Sequence, residues 1–288
     1  GAFAKLNLTL DVLGKREDGY HDVKSVMQTV SIRDDIEIDI GTGKPWKLLC
    51  DKEGIPTDET NLAWKAAKVY CDAMNKDPNG LEIRITKRIP SEAGMGGGSA
   101  DGAAVLVALN KIFNTNYPEK ILCRIGVKVG ADIPFCIVGG TALALDTGAV
   151  VAPLPDVEDY SIVIVKPEDG VSTKEAYEAV DALENMKHPK NQEMLEYLAD
   201  GDTENALKLC SNVFEQALEV PGRVDIKDIC NNNGAVASCM TGSGSAVYGI
   251  FKEKAQAEKT AEELKKEFTN VFICTPEKTG VEIISITE

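Results

Sequence analysis

The sequence predicts an α+β protein, because strand-like and helix-like patterns alternate along it and each keeps its own period. Residues 81–85 alternate apolar and polar side chains, as a half-buried strand does. Residues 103–109 are apolar throughout and rich in helix formers, which predicts a buried helix. At 288 residues the chain is long enough for two domains, and we expect the boundary between residues 155 and 156.

Composition narrows the classes of function. A net charge of −15 argues against a nucleic-acid surface, which needs clustered lysine and arginine. No apolar run approaches the roughly 18 residues of a membrane span, and no basic-then-apolar leader opens the chain. The eight cysteines include no Cys-x-x-Cys pair, which favours buried free thiols in a reducing cytoplasm. With only two histidines, neither a histidine-based metal site nor a Ser-His-Asp hydrolase is expected.

In the first half of the chain, residues 4–12 alternate cleanly, with Lys5 and Asn7 on the polar face. A solvated face is the first interpretation of that pattern. Asp132 lies between a predicted helix end and an apolar, strand-like run, where a carboxylate is either a cap or a site residue, and composition leaves both open. The other elements predicted here are a strand through 36–40, a helix from Asn61 to about 73, a helix over 118–129 and a small-residue strand over 139–145.

The second half is predicted to alternate in the same way. Ser172 to Glu175 form a capping box, which opens a helix that carries Tyr177. A second Gly/Ser loop separates two strand patterns, an arrangement that a simple hairpin would also explain. The elements predicted here are strands at 161–165, 235–240, 246–251, 271–275 and 281–286, and helices at 191–199, 203–218, 223–232 and 253–268.

The most informative stretch is the glycine-rich loop between the strand 81–86 and the buried helix. Four glycines fall within five residues, closed by Ser99. A loop of this kind before a helix aims free backbone N–H groups and a partial positive charge at one point, which phosphate usually occupies. A tight turn without a ligand is the alternative, although two glycines would satisfy a turn. Neither Lys nor Thr follows the glycines, and position 99 is Ser, so neither the P-loop nor the dinucleotide pattern fits.

The order of these motifs resembles the GHMP kinase superfamily. Its central motif corresponds to Pro-Ser-Glu-Ala-Gly-Met-Gly-Gly-Gly-Ser over residues 90–99, and its late motif to Met-Thr-Gly-Ser-Gly-Ser over residues 240–245. Met95 replaces the usual leucine and conserves its volume. The resemblance implies a two-domain α+β fold. A ribosomal-S5-like ATP-binding domain would cover residues 1–155, and a ferredoxin-like α/β sandwich for the substrate would cover residues 156–288.

A narrower resemblance within the superfamily covers nearly the whole chain, and it is carried by residues 4–8, 14–21, 96–101 and 130–135. It implies transfer of the γ-phosphoryl group of ATP, with Mg²⁺, to the 2-hydroxyl of 4-diphosphocytidyl-2-C-methyl-D-erythritol in non-mevalonate isoprenoid precursor synthesis. The expected partner is this small cytidine diphosphate molecule, with no nucleic acid or membrane. The enzyme would be a cytoplasmic monomer or homodimer. The alternatives are a GHMP kinase for a sugar, homoserine or mevalonate, and a catalytically silent ATP-binding module.

Residue roles also follow from the resemblance. Asp132 would be the catalytic base and Lys5 its partner, and the Ser99 hydroxyl would help to position Mg²⁺. The ATP site would be formed by Asn61, Leu62, Lys87, Pro90, Gly94, Met95, Gly96, Gly97, Gly98, Ser99 and Ala100. The substrate site would be formed by Asn7, Tyr20, His21, Tyr177, Gly242 and Ser243, with the aromatic side chains selecting cytosine.

Two departures from the family pattern affect this site. Relatives usually have a Gly-x-Gly-Glu turn where residues 145–149 read Leu-Asp-Thr-Gly-Ala, so any contact made by that turn is in doubt. The usual second hydroxyl or amide after Ser99 is replaced by Ala100 and Asp101, which leaves one hydroxyl fewer near the phosphates.

Overall fold

The computed structural model describes residues 1–287, in which helices pack against two β-sheets. The larger sheet has nine strands and the smaller has four. The strands in this range are β1 (Ala2–Asn7), β2 (Thr9–Lys15), β3 (His21–Ile40), β4 (Lys47–Cys50), β5 (Leu81–Thr86), β6 (Thr141–Asp146), β7 (Val150–Pro153), β8 (Ser161–Lys166), β9 (Ser211–Asn212), β10 (Ala237–Met240), β11 (Val247–Phe251), β12 (Asn270–Cys274) and β13 (Pro276–Glu277).

The helices divide between the two halves of the chain, and the longest of them follows the glycine-rich loop. No helix within residues 1–287 is long and apolar enough to cross a membrane. The helices in this range are α1 (Leu62–Met74), α2 (Gly97–Ile112), α3 (Glu119–Gly126), α4 (Ile133–Val138), α5 (Thr173–Asp181), α6 (Asn191–Ala199), α7 (Thr203–Leu207), α8 (Phe214–Ala217), α9 (Arg223–Asn232) and α10 (Lys254–Leu264).

The 20-residue strand β3 organises the larger sheet. It pairs antiparallel with β1, β2, β5, β6 and β13, so one strand sets the register of five others. Lys5 lies opposite Thr29, and Thr86 lies opposite Asp35. Lys5 and the end of the strand that feeds the glycine-rich loop are therefore both placed by pairing with β3.

The predicted sequence of strand, glycine loop and buried helix is confirmed. β5 ends at Thr86, and α2 begins at Gly97, within the glycine run itself. α2 packs against α1 through small side chains, because Gly102 lies close to Ala66 and the backbone of Leu62. The main core lies between these helices and the larger sheet, where close packing of apolar side chains contributes most of the stability.

The expectation that the polar face of the first strand is solvated is wrong. Lys5, Asn7, Thr9 and Asp11 are all at most 4% exposed. Segments far along the chain cover this face; for example, the Thr9 hydroxyl donates to the Asn191 side-chain oxygen at 2.5 Å. Alternation in sequence shows which side chains share a face, but not which face another segment covers.

Three predicted elements differ from the structure. The run after Asp132 forms helix α4 rather than a strand, and Pro134 in its first turn suits a helix start. The predicted helix over 203–218 is broken into α7, β9 and α8, because Ser211 pairs with Thr9 in a parallel bridge. Residues 281–286 form no strand beyond a single bridge from Val281 to Ala2.

The smaller sheet has the strand order β10-β11-β8-β12, and all its pairs are antiparallel. β10 and β11 form a hairpin across the late Gly/Ser loop, which is the simpler of the two interpretations considered for that stretch. The chain returns to the larger sheet through β9 and β13. The domain boundary at residues 155 and 156 stays a prediction.

Candidate active site

The structure brings together the two residues predicted to carry the chemistry. Lys5 lies on β1, and Asp132 lies immediately before α4. The Lys5 ammonium is 3.8 Å from the Asp132 carboxylate. The Lys5 side chain is 5% exposed, whereas that of Asp132 is 40% exposed. A buried charge needs paired, hydrogen-bonded surroundings, and here the ammonium is held inside while the carboxylate faces solvent.

The side-chain amide of Asn7 connects Lys5 to two other parts of the chain. Its oxygen accepts hydrogen bonds from the Lys5 ammonium at 2.7 Å and from the Gly242 N–H at 2.9 Å. The Thr241 hydroxyl donates to the same oxygen at 3.3 Å, and the amide nitrogen donates to the Ser25 hydroxyl at 2.8 Å. The oxygen is therefore fully used within the protein, and this predicted substrate residue has one amide hydrogen left without a partner within residues 1–287.

The two glycine loops meet backbone against backbone. Gly94 has φ of 71°, and a Cβ there would lie 2.2 Å from the Thr241 carbonyl oxygen. Gly242 has φ of 57°, and its Cβ would lie 2.7 Å from the Cα of Gly94. Both positions therefore need glycine for its conformation and for its size. Part of the glycine content of the first loop thus serves contact with the second loop as well as access for a ligand.

A cavity of about 310 Å³ opens between the N-terminus of α1 and the glycine-rich loop. Ala100 lies outside its lining, fully buried, and its N–H donates to the Gly96 carbonyl. Nine predicted ATP-site residues line the cavity: Asn61, Leu62, Lys87, Pro90, Gly94, Met95, Gly96, Gly97 and Gly98. Sequence reasoning missed eight further lining residues: Ile55, Pro56, Thr60, Ile89, Ser91, Glu92, Ala93 and Asp101.

Asn61 holds the wall of this cavity in shape. Its side-chain oxygen caps α1 by accepting the Ala63 N–H at 2.8 Å, and its amide nitrogen donates to the Pro56 carbonyl at 2.7 Å. These two hydrogen bonds thus connect the start of α1 to the preceding loop, which lines the cavity. The proline and glycine content of residues 41–60 marks a loop but carries no signal that the loop lines a site.

Lys87 is committed to two buried carboxylates. Its ammonium donates to Asp101 at 2.8 Å and to Asp34, and the side chains of all three residues are at most 4% exposed. Asp34 also accepts the N–H groups of Arg88 and Ile89. Burial raises the pKa of Asp101 to about 8, although the Lys87 charge opposes that shift. Two carboxylates share one ammonium, so proton binding by Asp101 relieves a surplus negative charge.

Ser99 lies in the first turn of α2. Its hydroxyl oxygen is 3.8 Å from the position that a Cβ on Gly130 would take, in the segment leading to Asp132. It makes no hydrogen bond to another residue within 1–287. No group of three or more His, Cys, Asp or Glu side chains in that range could hold a metal ion. A metal here would therefore take few ligands from the protein.

An aromatic cluster lies within electrostatic range of Asp132. His21 stacks on Tyr177 with ring centroids 4.5 Å apart and an interplanar angle of 24°, and Tyr177 meets Phe214 edge-on. Burial raises the pKa of Tyr177 to about 12, and the Asp132 charge adds to the shift. Tyr20 is 65% exposed, so its ring is free for a ligand. The structure therefore brings together two predicted substrate residues, His21 and Tyr177, and Tyr20 precedes His21 on the exposed side.

The late glycine loop reaches the helix that carries Tyr177. The Gly242 N–H donates to Asn7, as described above, and the Ser243 hydroxyl lies 3.2 Å from the hydroxyl of Thr173 in the first turn of α5. Gly242 thus contacts the buried centre of the site through Asn7, whereas Ser243 contacts α5 at the exposed edge of the site.

The acidic residues at both departures from the family pattern form ion pairs in the structure. Asp146, in the atypical turn over residues 145–149, forms an ion pair with Arg16, which also pairs with Asp22 at 3.1 Å. Asp101 belongs to the Lys87 cluster. The first departure ties its turn to the segment that carries Tyr20 and His21, and the second adds a buried carboxyl group to α2.

Comparison with known proteins decides the family. Residues 61–140 match the GHMP kinases N terminal domain, and residues 192–270 match the GHMP kinases C terminal domain. A 4-diphosphocytidyl-2-C-methyl-D-erythritol kinase of Clostridium beijerinckii is 41% identical over 274 residues, covering 94% of this chain and 97% of that protein. The chain belongs to the GHMP kinase family. A protein of the same name from Caldicellulosiruptor bescii is 42% identical to this GHMP kinase over 276 residues, covering 95% and 96% of the two chains.

Solved structures agree with this assignment. The crystal structure of a 4-(cytidine 5'-diphospho)-2C-methyl-D-erythritol kinase matches this GHMP kinase with a TM-score of 0.74 at 30% identity, covering 96% of this chain and 97% of the other. A homoserine kinase from Cytophaga hutchinsonii matches with a TM-score of 0.71 at 19% identity, covering 97% and 95%, a likeness of fold alone. The predicted GHMP kinase fold is confirmed.

Replacing Gly94 by alanine should destabilise this GHMP kinase by about 2 kcal/mol or more, through strain at positive φ and overlap with the second loop. Gly98 is a matched control, because it is helical and its added Cβ would make only an ordinary contact with Leu62 at 3.4 Å. Gly98→Ala should be neutral or stabilising by up to about 1 kcal/mol. Urea unfolding measures both, and equal stabilities of the two variants would contradict the loop contact.

Asp101→Asn should become more stable relative to the wild type as the pH rises from 5 to 8. The folded state raises the pKa of Asp101 from 3.8 to about 8, so the wild type binds a proton more tightly when folded and loses stability across that window. The asparagine variant lacks this proton. The measurement is the difference in unfolding free energy at the two pH values, with Asp72→Asn, an exposed position on α1, as control. A difference that does not change with pH would rule out the raised pKa.

Proposed function

We propose that the chain transfers the γ-phosphoryl group of ATP to the 2-hydroxyl of 4-diphosphocytidyl-2-C-methyl-D-erythritol. The single observation that supports this most is the Lys5–Asp132 ion pair, which the chain combines with a glycine-loop cavity and an aromatic cluster. The first two features suit phosphoryl transfer from a nucleotide, and the third suits a substrate that carries a base. Relatives more than 40% identical over 94% of the chain bear the corresponding name.

Asp132 is the proposed general base. Phosphoryl transfer to an alcohol requires a group that accepts the hydroxyl proton as the bond from oxygen to phosphorus forms. The exposed carboxylate of Asp132 is accessible to a substrate hydroxyl, and the Lys5 ammonium lies 3.8 Å away, where it can orient that hydroxyl. The same ammonium offsets negative charge that develops on the transferring phosphoryl oxygens. A positioned base of this kind contributes roughly 10² to 10⁴ in rate.

The N-terminus of α2 is the proposed site of the ATP phosphates. The first N–H groups of a helix have no intrahelical partner, and together with the helix dipole they act as roughly half a positive charge. Here the helix opens with Gly97 and Gly98, so no side chain blocks these groups. The cavity beside them, lined by Leu62 and Pro90, would take the adenine and ribose.

The donors near Ser99 fit Mg²⁺. This ion keeps several waters and usually binds through one or two protein ligands together with substrate phosphates. The unbonded Ser99 hydroxyl and the nearby Asp132 segment match that sparse donor set, whereas a dedicated metal cage would need more acidic side chains than the described residues supply. When bound, Mg²⁺ would neutralise charge on the β- and γ-phosphates. Ser99 would hold it, and Lys5 and Asp132 would act on the alcohol.

Tyr20, His21 and Tyr177 are the proposed cytosine site. Aromatic rings supply stacking faces, and the histidine supplies a hydrogen-bonding edge. Homoserine, mevalonate and sugars have no base to stack, so the cluster favours a nucleotide-linked alcohol over the substrates of other GHMP kinases. The presence of both Lys5 and Asp132 favours an active enzyme over a silent ATP-binding module.

The cellular compartment, the partner and the oligomeric state of the enzyme are also proposals. Eight free thiols suit a reducing compartment such as the cytoplasm. The expected partner is the small cytidine diphosphate substrate rather than nucleic acid, because the net charge is −15. We also expect a monomer or a homodimer, with the domain boundary between residues 155 and 156.

The function is tested by ADP release with a panel of alcohols: 4-diphosphocytidyl-2-C-methyl-D-erythritol, mevalonate, homoserine and galactose. Only the first should be turned over, and phosphorus NMR of the product should place the new phosphate on the 2-oxygen. Faster turnover of any other alcohol would replace the proposed substrate. Absence of turnover with all four would favour the silent module.

Asp132→Asn should keep ATP affinity and lower kcat by roughly 10² to 10⁴, because the amide cannot accept the hydroxyl proton. Asp228→Asn, which removes an exposed carboxylate on α9, is the control and should be unchanged. Isothermal titration gives the ATP affinity, and single-turnover kinetics give the chemical step. Near wild-type turnover in Asp132→Asn would remove the base assignment.

A further inference from the structure

His21 is held by a chain of charged side chains that the sequence did not reveal. Its Nε2 lies 2.8 Å from one carboxylate oxygen of Asp181, the last residue of α5. The other oxygen accepts a hydrogen bond from the Lys15 ammonium at 2.9 Å. Lys15 and His21 are themselves paired across β2 and β3. The His21 side chain is 7% exposed and that of Asp181 is 31% exposed. The contact between His21 and Asp181 is therefore better shielded from solvent than the contact between Lys15 and Asp181.

The Asp181 contact fixes which nitrogen of His21 carries the proton. Burial alone would raise the pKa of Asp181, but the hydrogen bonds from Lys15 and His21 lower it below its ordinary value. An ionised carboxylate can only accept, so Nε2 must be the donor. In the tautomer with the proton on Nε2, Nδ1 is unprotonated, and no atom of residues 1–287 donates to that nitrogen. The ring therefore presents a hydrogen-bond acceptor on its remaining edge.

Lys15 fixes the orientation of the Asp181 carboxylate. Its ammonium binds the second carboxylate oxygen, 2.9 Å away, and offsets part of the negative charge. The first oxygen is thereby held toward Nε2 of His21 as an acceptor.

We propose that Asp181 is a positioning residue that sets base specificity, by making His21 present Nδ1 as an acceptor to the 4-amino group of cytosine. This inference rests on the proposed function, in which His21 contacts the base. Uracil has a carbonyl oxygen in place of that amino group, so two acceptors would face each other and one would lose its hydrogen bond to water. Asp181 touches no reacting atom and acts through His21.

A purely structural role for Asp181 makes a different prediction. If the carboxylate only holds α5 against the β2–β3 hairpin, its removal should weaken the cytidine and uridine substrates by the same factor. If it sets the proton on His21, its removal should weaken the cytidine substrate selectively. The ratio of the two specificity constants therefore separates the roles.

The kinetic test compares 4-diphosphocytidyl-2-C-methyl-D-erythritol with its uridine analogue. In Asp181→Leu the ratio of kcat/KM values should fall about tenfold, the worth of one hydrogen bond, through KM rather than kcat. Asp181→Asn should recover part of the ratio, because its amide oxygen can still accept from Nε2. Glu178→Leu is the matched control on the same helix, where within residues 1–287 the carboxylate pairs only with Lys174, and it should keep the wild-type ratio.

The second test reads the proton on His21 directly, by NMR of protein labelled with ¹⁵N-histidine. The chain has two histidines, and His188 bonds the Asp11 carboxylate through Nδ1, so the two rings should show opposite tautomers. The variant His188→Gln assigns the signals. Cytidine 5'-diphosphate should shift the Nδ1 signal of His21, and uridine 5'-diphosphate should not.

The outcomes separate this inference from the proposed function. If the wild type does not phosphorylate the cytidine substrate, the proposed function fails. If the wild type does so and Asp181→Leu leaves the substrate ratio unchanged, or if His21 carries its proton on Nδ1, only the role of Asp181 is overturned. A selective loss for cytidine together with a proton on Nε2 supports both.

Discussion

The candidate active site depends on the buried side-chain amide of Asn7. One oxygen atom accepts from the Lys5 ammonium, the Gly242 N–H and the Thr241 hydroxyl, and the amide nitrogen binds Ser25 on β3. Asn7 is 3% exposed, so none of these groups has water as a ready substitute. Removing the amide would deprive the Lys5 ammonium and the Gly242 N–H of this acceptor, and a buried donor left unpaired costs about 1–3 kcal/mol.

This amide joins parts of the chain that are distant in sequence. Asn7 and Lys5 come from the first strand, Gly242 comes from the late loop, and Gly94 contacts that late loop through the backbone. The Lys5 N–H also donates to the carbonyl of Met95 within the glycine-rich loop. The loop proposed to bind phosphate, the ammonium beside the base and the loop from the second half of the chain therefore form one connected structure. Catalytic groups held in this way need little reorganisation when substrate binds.

Sequence reasoning predicted the parts of this structure that depend on local pattern or motif. The strand, glycine loop and helix around Gly96 were predictable because periodicity and glycine spacing are local signals, and the pairing of Lys5 with Asp132 followed from motif resemblance. The burial of the polar face carrying Asn7 was not predictable, because Thr241 covers it from more than 200 residues away. Asp181 was missed for the same reason, since its contact with His21 is purely tertiary. The broken helix at 203–218 shows tertiary pairing overriding helix propensity.

The most direct test of the central claim, that Asn7 acts through Lys5, is a double-mutant cycle on the chemical step. Asn7→Ala and Lys5→Met should each lower the single-turnover rate of phosphoryl transfer by about 10² or more, since both leave Asp132 without a positioned ammonium. The double variant should be no slower than Lys5→Met alone, because the two residues act as one unit. Multiplicative losses, or a near wild-type rate in Asn7→Ala, would contradict the account.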